Sequence, residues 1–125
     1  MPRVKKRSIL LIEQDANFAG IYEKRFEVAG WKVTRAKSFQ EGKKKLARMA
    51  HDAVMMDLHP LTESMAFLEE LGKDPTMTSI VRVVLTDVSD RRTIKEVEGL
   101  GVAVYLLKGH VSPSEVIRKV KSYLI

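Results

Sequence analysis

The sequence predicts an α/β domain, a doubly wound parallel sheet of five strands in a (βα)5 arrangement. Three observations carry that prediction: five short aliphatic runs, an amphipathic stretch with helix start and stop signals after each, and polar or ionisable residues at the ends of four runs. Parallel neighbours need a crossover between them, and helices on both faces bury the sheet. Alternation of this kind is what such an architecture leaves in a sequence.

The first run, "SILLIE" (8–13), reads as a buried strand. Phe18, Ile21, Tyr22, Arg25, Phe26 and Ala29 then follow at helical spacing and stop at Gly30. "WKVTRA" (31–36) alternates and is β-branched, which suits a strand near the sheet edge. Ser38 followed by Glu41 is a capping-box pattern for a helix running to about Ala50. "AVMM" (53–56) is the third strand, and Met65, Phe67, Leu68 and Leu71 mark a short helix after Pro60 that ends at Gly72. "VRVVLT" (81–86) gives the fourth strand, "DRRTIKEVEGL" (90–100) a helix, and "AVYLL" (103–107) the fifth strand. Ser112, Pro113 and Glu115 supply an N-cap, a first-turn proline and the capping-box acid for a last helix, whose stripe is Val116, Ile117, Val120 and Leu124.

The 125 residues suit one domain, expected over 1–125 with a basic leader at 1–7. A hydrophobic share of 45 % with 6 % aromatics supports a core built mainly of aliphatic side chains. The absence of cysteine excludes disulfides and thiolate metal sites and suits a reducing compartment. No apolar run approaches the roughly 20 residues that span a bilayer, and no signal-peptide pattern follows the leader. A soluble cytoplasmic protein without a membrane partner is the expectation. Lys and Arg exceed Asp and Glu by 22 to 16, for a net charge of +6. Such a field attracts nucleic acid or acidic partners, but the excess sits in the leader and in "KKK" (43–45), with no nucleic-acid motif beside it. It is read as solvated surface, and direct nucleic-acid binding is not expected.

The chemistry lies at the run ends. Glu13, Gln14 and Asp15 follow the first strand, Asp57 the third, Thr86 and Asp87 the fourth, and Lys108 the fifth. In a doubly wound sheet these ends share one edge, where ligands bind. Asp57 as a central carboxylate, Lys108 as its cationic neighbour and Thr86 as a hydroxyl donor suit an aspartate that accepts a phosphoryl group. Singly, each has a plainer reading: a loop cap, a β-prone strand end, a surface lysine. Their joint placement at the ends of strands three, four and five favours the functional one.

With those residues in view, the chain resembles the response-regulator receiver (CheY-like) domain of two-component signalling. The resemblance runs from about Ser8 to Leu124 and rests on "ILLIEQD", "DAVMMD", "VVLTD" and "GVAVYLLKG". It implies a CheY-like, flavodoxin-like fold of strand order 2-1-3-4-5. It also implies Asp57 as phosphoacceptor, Thr86 as switch hydroxyl, Lys108 as phosphate-contacting lysine and Tyr105 as switch aromatic. Mg²⁺ would bridge the acidic pair after strand one, Asp57 and the backbone carbonyl of His59. The implied phosphodonor is a sensor histidine kinase or phosphotransfer protein. A downstream protein would read the surface of helix four, strand five and helix five, and a homodimer is compatible with the resemblance. Such a domain is a phosphoryl acceptor and not an enzyme.

Several positions depart from the family pattern. The acidic pair is Glu13-Gln14, and an amide brings no charge, so Mg²⁺ binding is expected to be weak unless Asp15 substitutes. "DLHP" places two residues between Asp57 and Pro60 where three are usual, and the glycine expected near Ser64 is missing. His59 as a side-chain metal ligand is the less favoured reading beside a solvated loop histidine. Asp87 stands where a small residue is usual, which narrows the approach to Asp57 and adds negative charge. Lys108-Gly109 replaces Lys-Pro, so that peptide is expected to be trans, holding Lys108 less firmly. These departures keep a second reading open, a phosphorylation-independent pseudo-receiver that acts as a protein-interaction module.

Overall fold

A computed structural model describes residues 6–124. The elements in chain order are β1 (Ser8–Ile12), α1 (Ala16–Val28), β2 (Lys32–Ala36), α2 (Phe39–Arg48), β3 (Ala53–Met56), α3 (Leu61–Lys73), a 3-10 turn (Pro75–Met77), β4 (Val81–Thr86), α4 (Arg91–Glu98), β5 (Val104–Leu107) and α5 (Pro113–Ser122). The five strands form one sheet in the order β2-β1-β3-β4-β5. Every neighbouring pair is parallel. The register aligns Ile12 with Ala36 and with Met56, Met56 with Val84, and Thr86 with Leu107, so the carboxyl ends of all five strands reach one edge. Among the described residues no helix is long and apolar enough to cross a membrane. Of the expected basic leader, residues 1–5 lie outside the described residues.

Strand side chains alternate between faces, and that parity divides the core in two. Ile9, Leu11, Ala53, Met55, Val83 and Leu85 pack with Tyr22 and Phe26 of α1 and with Val116 and Val120 of α5. Leu10, Ile12, Val54, Met56 and Val84 face Phe39 and Leu46 of α2, Phe67 and Leu68 of α3, and Val97 of α4. Continuous aliphatic runs therefore serve both faces, as a buried parallel sheet requires. β2, the strand that alternates most clearly, is an edge strand.

Side chains start most of the helices. Asp15 accepts the Asn17 and Phe18 N–H groups at α1, and Asp90 accepts that of Thr93 at α4. Ser112 and Glu115 form a reciprocal capping box at α5. The expected box at α2 forms by half. Ser38 Oγ accepts the Glu41 N–H at 3.1 Å, but the Glu41 carboxylate accepts from the N–H of Lys37, one residue before the cap. Trp31, read as the first residue of a strand, instead precedes β2 and is buried edge-on against Phe26, ring centroids 5.2 Å apart.

Arg82 interrupts the apolar core of β4, a feature that the strand-like pattern of "VRVVLT" concealed. It is buried, and its guanidinium donates to the carbonyls of Leu71, Met77 and Gly101 at 3.3–3.4 Å. It thereby ties the end of α3, the 3-10 turn and the α4–β5 turn to one strand. Gly101 adopts φ +87°, and a Cβ there would stand 2.7 Å from Arg82 Nη1. Gly20, inside α1, has open space where a Cβ would go. Gly101→Ala is therefore expected to lower the unfolding free energy by about 1–3 kcal/mol. Gly20→Ala is expected to raise it by about 0.5–1 kcal/mol. Urea denaturation of the two variants checks both signs.

Candidate functional site at the carboxyl edge of the sheet

β1, β3, β4 and β5 each deliver one group to a single cluster. Asp57, directly after β3, accepts on Oδ1 from Thr86 Oγ1 at 2.6 Å and from the Leu58 N–H at 2.6 Å. Its Oδ2 accepts from Lys108 Nζ at 2.8 Å, and the same ammonium donates to Glu13 Oε1 at 2.7 Å. The side chains of Glu13, Asp57 and Lys108 are 10 %, 12 % and 22 % exposed, so these pairs are shielded from bulk water. Lys108 Nζ also lies 4.3 Å from the centre of the Phe18 ring, an attractive cation–π contact.

These contacts set the protonation states. Burial pushes the Asp57 carboxyl up, but hydrogen bonds from Lys108 and Thr86, the lysine charge and the Leu58 N–H outweigh it and leave the group below the usual aspartate range. Burial likewise pushes Lys108 down, and its bonds to Asp57 and Glu13 reverse that, raising it above an ordinary lysine. The pair is a carboxylate and an ammonium at neutral pH.

The remaining sequence-predicted residues take separate places. Gln14 is exposed at the same edge. Asp15 is committed to capping α1 through Oδ1, while its N–H donates to Glu13 Oε2 at 3.2 Å. The His59 side chain, 56 % exposed, places Nε2 3.1 Å from Asp87 Oδ1, so Asp87 is turned outward to a histidine and not onto Asp57. The Lys108–Gly109 peptide is trans, as the sequence implied, and Gly109 adopts φ +82°. Lys108 is nonetheless held by two carboxylates and by its own N–H, which donates to the Thr86 carbonyl at 2.8 Å. Tyr105 donates its phenol hydrogen to the Val88 carbonyl at 2.6 Å, and the Val88 N–H reaches Thr86 Oγ1 at 3.4 Å. A hydrogen-bonded path thus runs from Asp57 through Thr86 and Val88 to Tyr105.

Sequence reasoning missed three contributors. Phe18 appeared only as a core residue of the first helix, and nothing in its spacing revealed the lysine beside it. Leu58 supplies a backbone donor, which any residue but proline provides. Ser64, at the position lacking the glycine, is fully buried, and its one hydroxyl hydrogen is shared between the carbonyls of Leu58 at 2.8 Å and Leu61 at 2.9 Å, bracing the shortened loop.

The donors near Asp57 suit a weakly held Mg²⁺, which takes one or two carboxylates and keeps several waters. Glu13 and Asp57 are the two available carboxylates, and both already share the Lys108 charge. Among the described residues no group of three or more acidic, histidine or cysteine side chains stands ready to hold a metal.

This architecture is the CheY-like, flavodoxin-like fold, five parallel strands in the order 2-1-3-4-5. No protein-family model matches the chain. A Porphyridium aerugineum protein named "Probable transcriptional regulator ycf27" is 31 % identical over 122 residues, covering 97 % of this chain and 49 % of that protein. The chain therefore spans about half the length of the curated relatives it matches. The crystal structure of a CheY-like response regulator receiver domain protein from Methanospirillum hungatei superposes with a TM-score of 0.86 at 20 % identity, covering 94 % of this chain and 93 % of that one. A response regulator from Thermotoga maritima gives 0.86 at 20 % identity, with 96 % and 98 % covered.

Burial, followed by the charges of Asp90, Asp57, Asp87 and Glu98, pushes the Tyr105 phenol up to about 12. A folded-state pKa above the ordinary value of 10 means that the native state keeps this proton longer than the unfolded chain. Its stabilising contribution is complete below pH 10 and is lost as pH rises toward 12. Tyr105→Phe is expected to flatten the decline of stability across that window, measured by denaturation at successive pH values.

Proposed function

We propose that this chain is a phosphoryl acceptor for two-component signalling, with Asp57 as the acceptor. One observation carries the reading: Asp57 stands between a hydroxyl and an ammonium, each within 2.8 Å, at the edge of a parallel sheet where ligands bind. Oδ1 already accepts two hydrogen bonds, whereas Oδ2 accepts one from Lys108 and keeps a lone pair for attack. Attack of Oδ2 on phosphorus forms the aspartyl phosphate as the bond from phosphorus to the donor breaks, and the donor leaves with that electron pair. Lys108 and Thr86 then turn from the carboxylate to the phosphoryl oxygens, and their stabilisation of the developing charge lowers the barrier.

Glu13, Asp57 and the His59 carbonyl would hold Mg²⁺, with Gln14 contributing no charge. Bound there, the ion would supply Lewis-acid neutralisation of phosphoryl oxygens. Movement of Thr86 toward the phosphoryl group frees the Val88 N–H and loosens the Tyr105 anchor. That is how phosphorylation would reshape the surface of α4, β5 and α5 for a downstream protein. A sensor histidine kinase or phosphotransfer protein is the donor that this chemistry calls for.

Incubation with acetyl phosphate and Mg²⁺ is expected to add one phosphoryl mass to the intact protein, and Asp57→Asn is expected to abolish it. Lys108→Ala should slow uptake by about 10²-fold, the usual loss when one charge-stabilising donor is removed. Asp87→Ala should change it by less than about twofold, because that carboxylate is exposed and paired with His59 instead of facing Asp57. No uptake in ample Mg²⁺ would reject the acceptor reading and leave the phosphorylation-independent interaction module.

Gln14→Asp adds a charged oxygen ligand at the same edge and is expected to tighten Mg²⁺ binding, followed by NMR shifts of the Asp57 and Leu58 amides. Trp31 lies near the amino end of β2, away from these groups, so its fluorescence is a poor reporter of that binding.

A further inference from the structure

The opposite edge of the sheet carries a second concave surface. A recess of about 510 Å³ lies between the start of β1, β2 and the α2–β3 turn and is lined by Lys6, Ser8, Lys32, Thr34, Met49 and His51, among others. Small-molecule sites have volumes of roughly 300–1,000 Å³. An adjoining recess of about 320 Å³ shares Met49 and His51 and adds Arg48.

The charges here are poorly balanced. Lys6, Lys32 and Arg48 are exposed, and none has a carboxylate partner among the described residues. The nearest acid, Asp52, already accepts on Oδ2 from the Ser8 N–H at 2.8 Å and from Ser8 Oγ at 3.3 Å. Lys6 and Lys32 against one engaged carboxylate, with Arg48 in the adjoining recess, leave this surface net positive, which favours an anion.

His51 makes the recess more selective than a basic patch. It is only 8 % exposed, and its Nδ1 lies 3.0 Å from the Met49 carbonyl. That carbonyl accepts from Nδ1–H, which fixes the tautomer and leaves Nε2 as a lone-pair acceptor with no partner among the described residues. Burial pushes the His51 pKa down, and the Met49 carbonyl and Asp52 only partly offset it, so the ring is neutral. A neutral acceptor suits a hydroxyl, and the exposed Met49 thioether suits a flat apolar ring.

We propose that this amino-edge recess binds a nucleoside monophosphate, its phosphate on Lys6 and Lys32, a sugar hydroxyl on His51 Nε2 and its base against Met49. This site is remote from Asp57 and stands independently of the phosphoryl-acceptor reading.

The test is a ¹H–¹⁵N NMR titration of the whole chain with AMP, adenosine, inorganic phosphate and a short single-stranded oligonucleotide. Saturable AMP shifts at Ser8, Thr34, Ala50 and His51 are expected, with adenosine and inorganic phosphate each binding about tenfold more weakly. Lys32→Gln, on an exposed side chain, should weaken AMP about tenfold while keeping a dispersed native spectrum. His51→Gln should weaken AMP but not inorganic phosphate, and Asp57→Asn should change neither. The proposal fails if AMP causes no saturable shifts there, or if Lys32→Gln binds AMP as the wild type does. It fails equally if inorganic phosphate matches AMP, or if the oligonucleotide displaces AMP and shifts the whole basic surface.

Discussion

The Lys108 ammonium holds the carboxyl edge of this sheet together. Glu13 and Asp57 bring two carboxylates, each about nine-tenths shielded, from adjacent central strands. Without a cation between them one would have to take up a proton or turn out to solvent. Lys108, arriving from the edge strand β5, reaches past the end of β4 to both, and Thr86 on β4 closes the cluster by donating to Asp57. The low exposure of the group and the lowered Asp57 pKa follow from that one placement.

The placement itself rests on parity and register. Because strand residues alternate between faces, β4 points Arg82, Val84 and Thr86 the same way, with Arg82 at its amino end and Thr86 at its carboxyl end. One strand face thus carries a guanidinium that collects backbone carbonyls at one edge and a hydroxyl that serves a carboxylate at the other. A shift of one residue in register would send both to the opposite face and put either Val81 and Leu85 or Val83 and Asp87 in their places.

Much of this was legible in the sequence because periodicity and the sheet-edge rule act on residue type alone. The five strands followed from the aliphatic runs and the convergence of Asp57, Thr86 and Lys108 from the polar residues that end them, whereas the strand order was implied by the family resemblance. Other details depend on distances that a sequence does not encode. The Glu41 carboxylate found the Lys37 N–H instead of that of Ser38. Asp87 turned to His59 across a loop whose path depends on its length. Arg82 looked like an ordinary strand residue because its partners are backbone carbonyls, which carry no residue signature. Lys108 was expected to be loosely held for want of a proline, and the compensating grip comes from two carboxylates whose convergence on one ammonium only the fold reveals.

Ser64 carries one more consequence. Its hydroxyl, wholly buried, fastens the main chain at Leu58 to the first turn of α3 from beneath. Lifting that turn would strand a polar group in an apolar surround and break the hydrogen bond that its one hydroxyl hydrogen makes. The backbone under Asp57 is therefore stiff on its α3 side, while the β4–α4 loop beyond Thr86 is tied to the site by the longer Val88 bond of 3.4 Å. The ties at this edge are uneven in length: a 2.8 Å bond holds the Leu58 carbonyl on the α3 side, and a 3.4 Å bond joins Thr86 to the loop that leads toward β5.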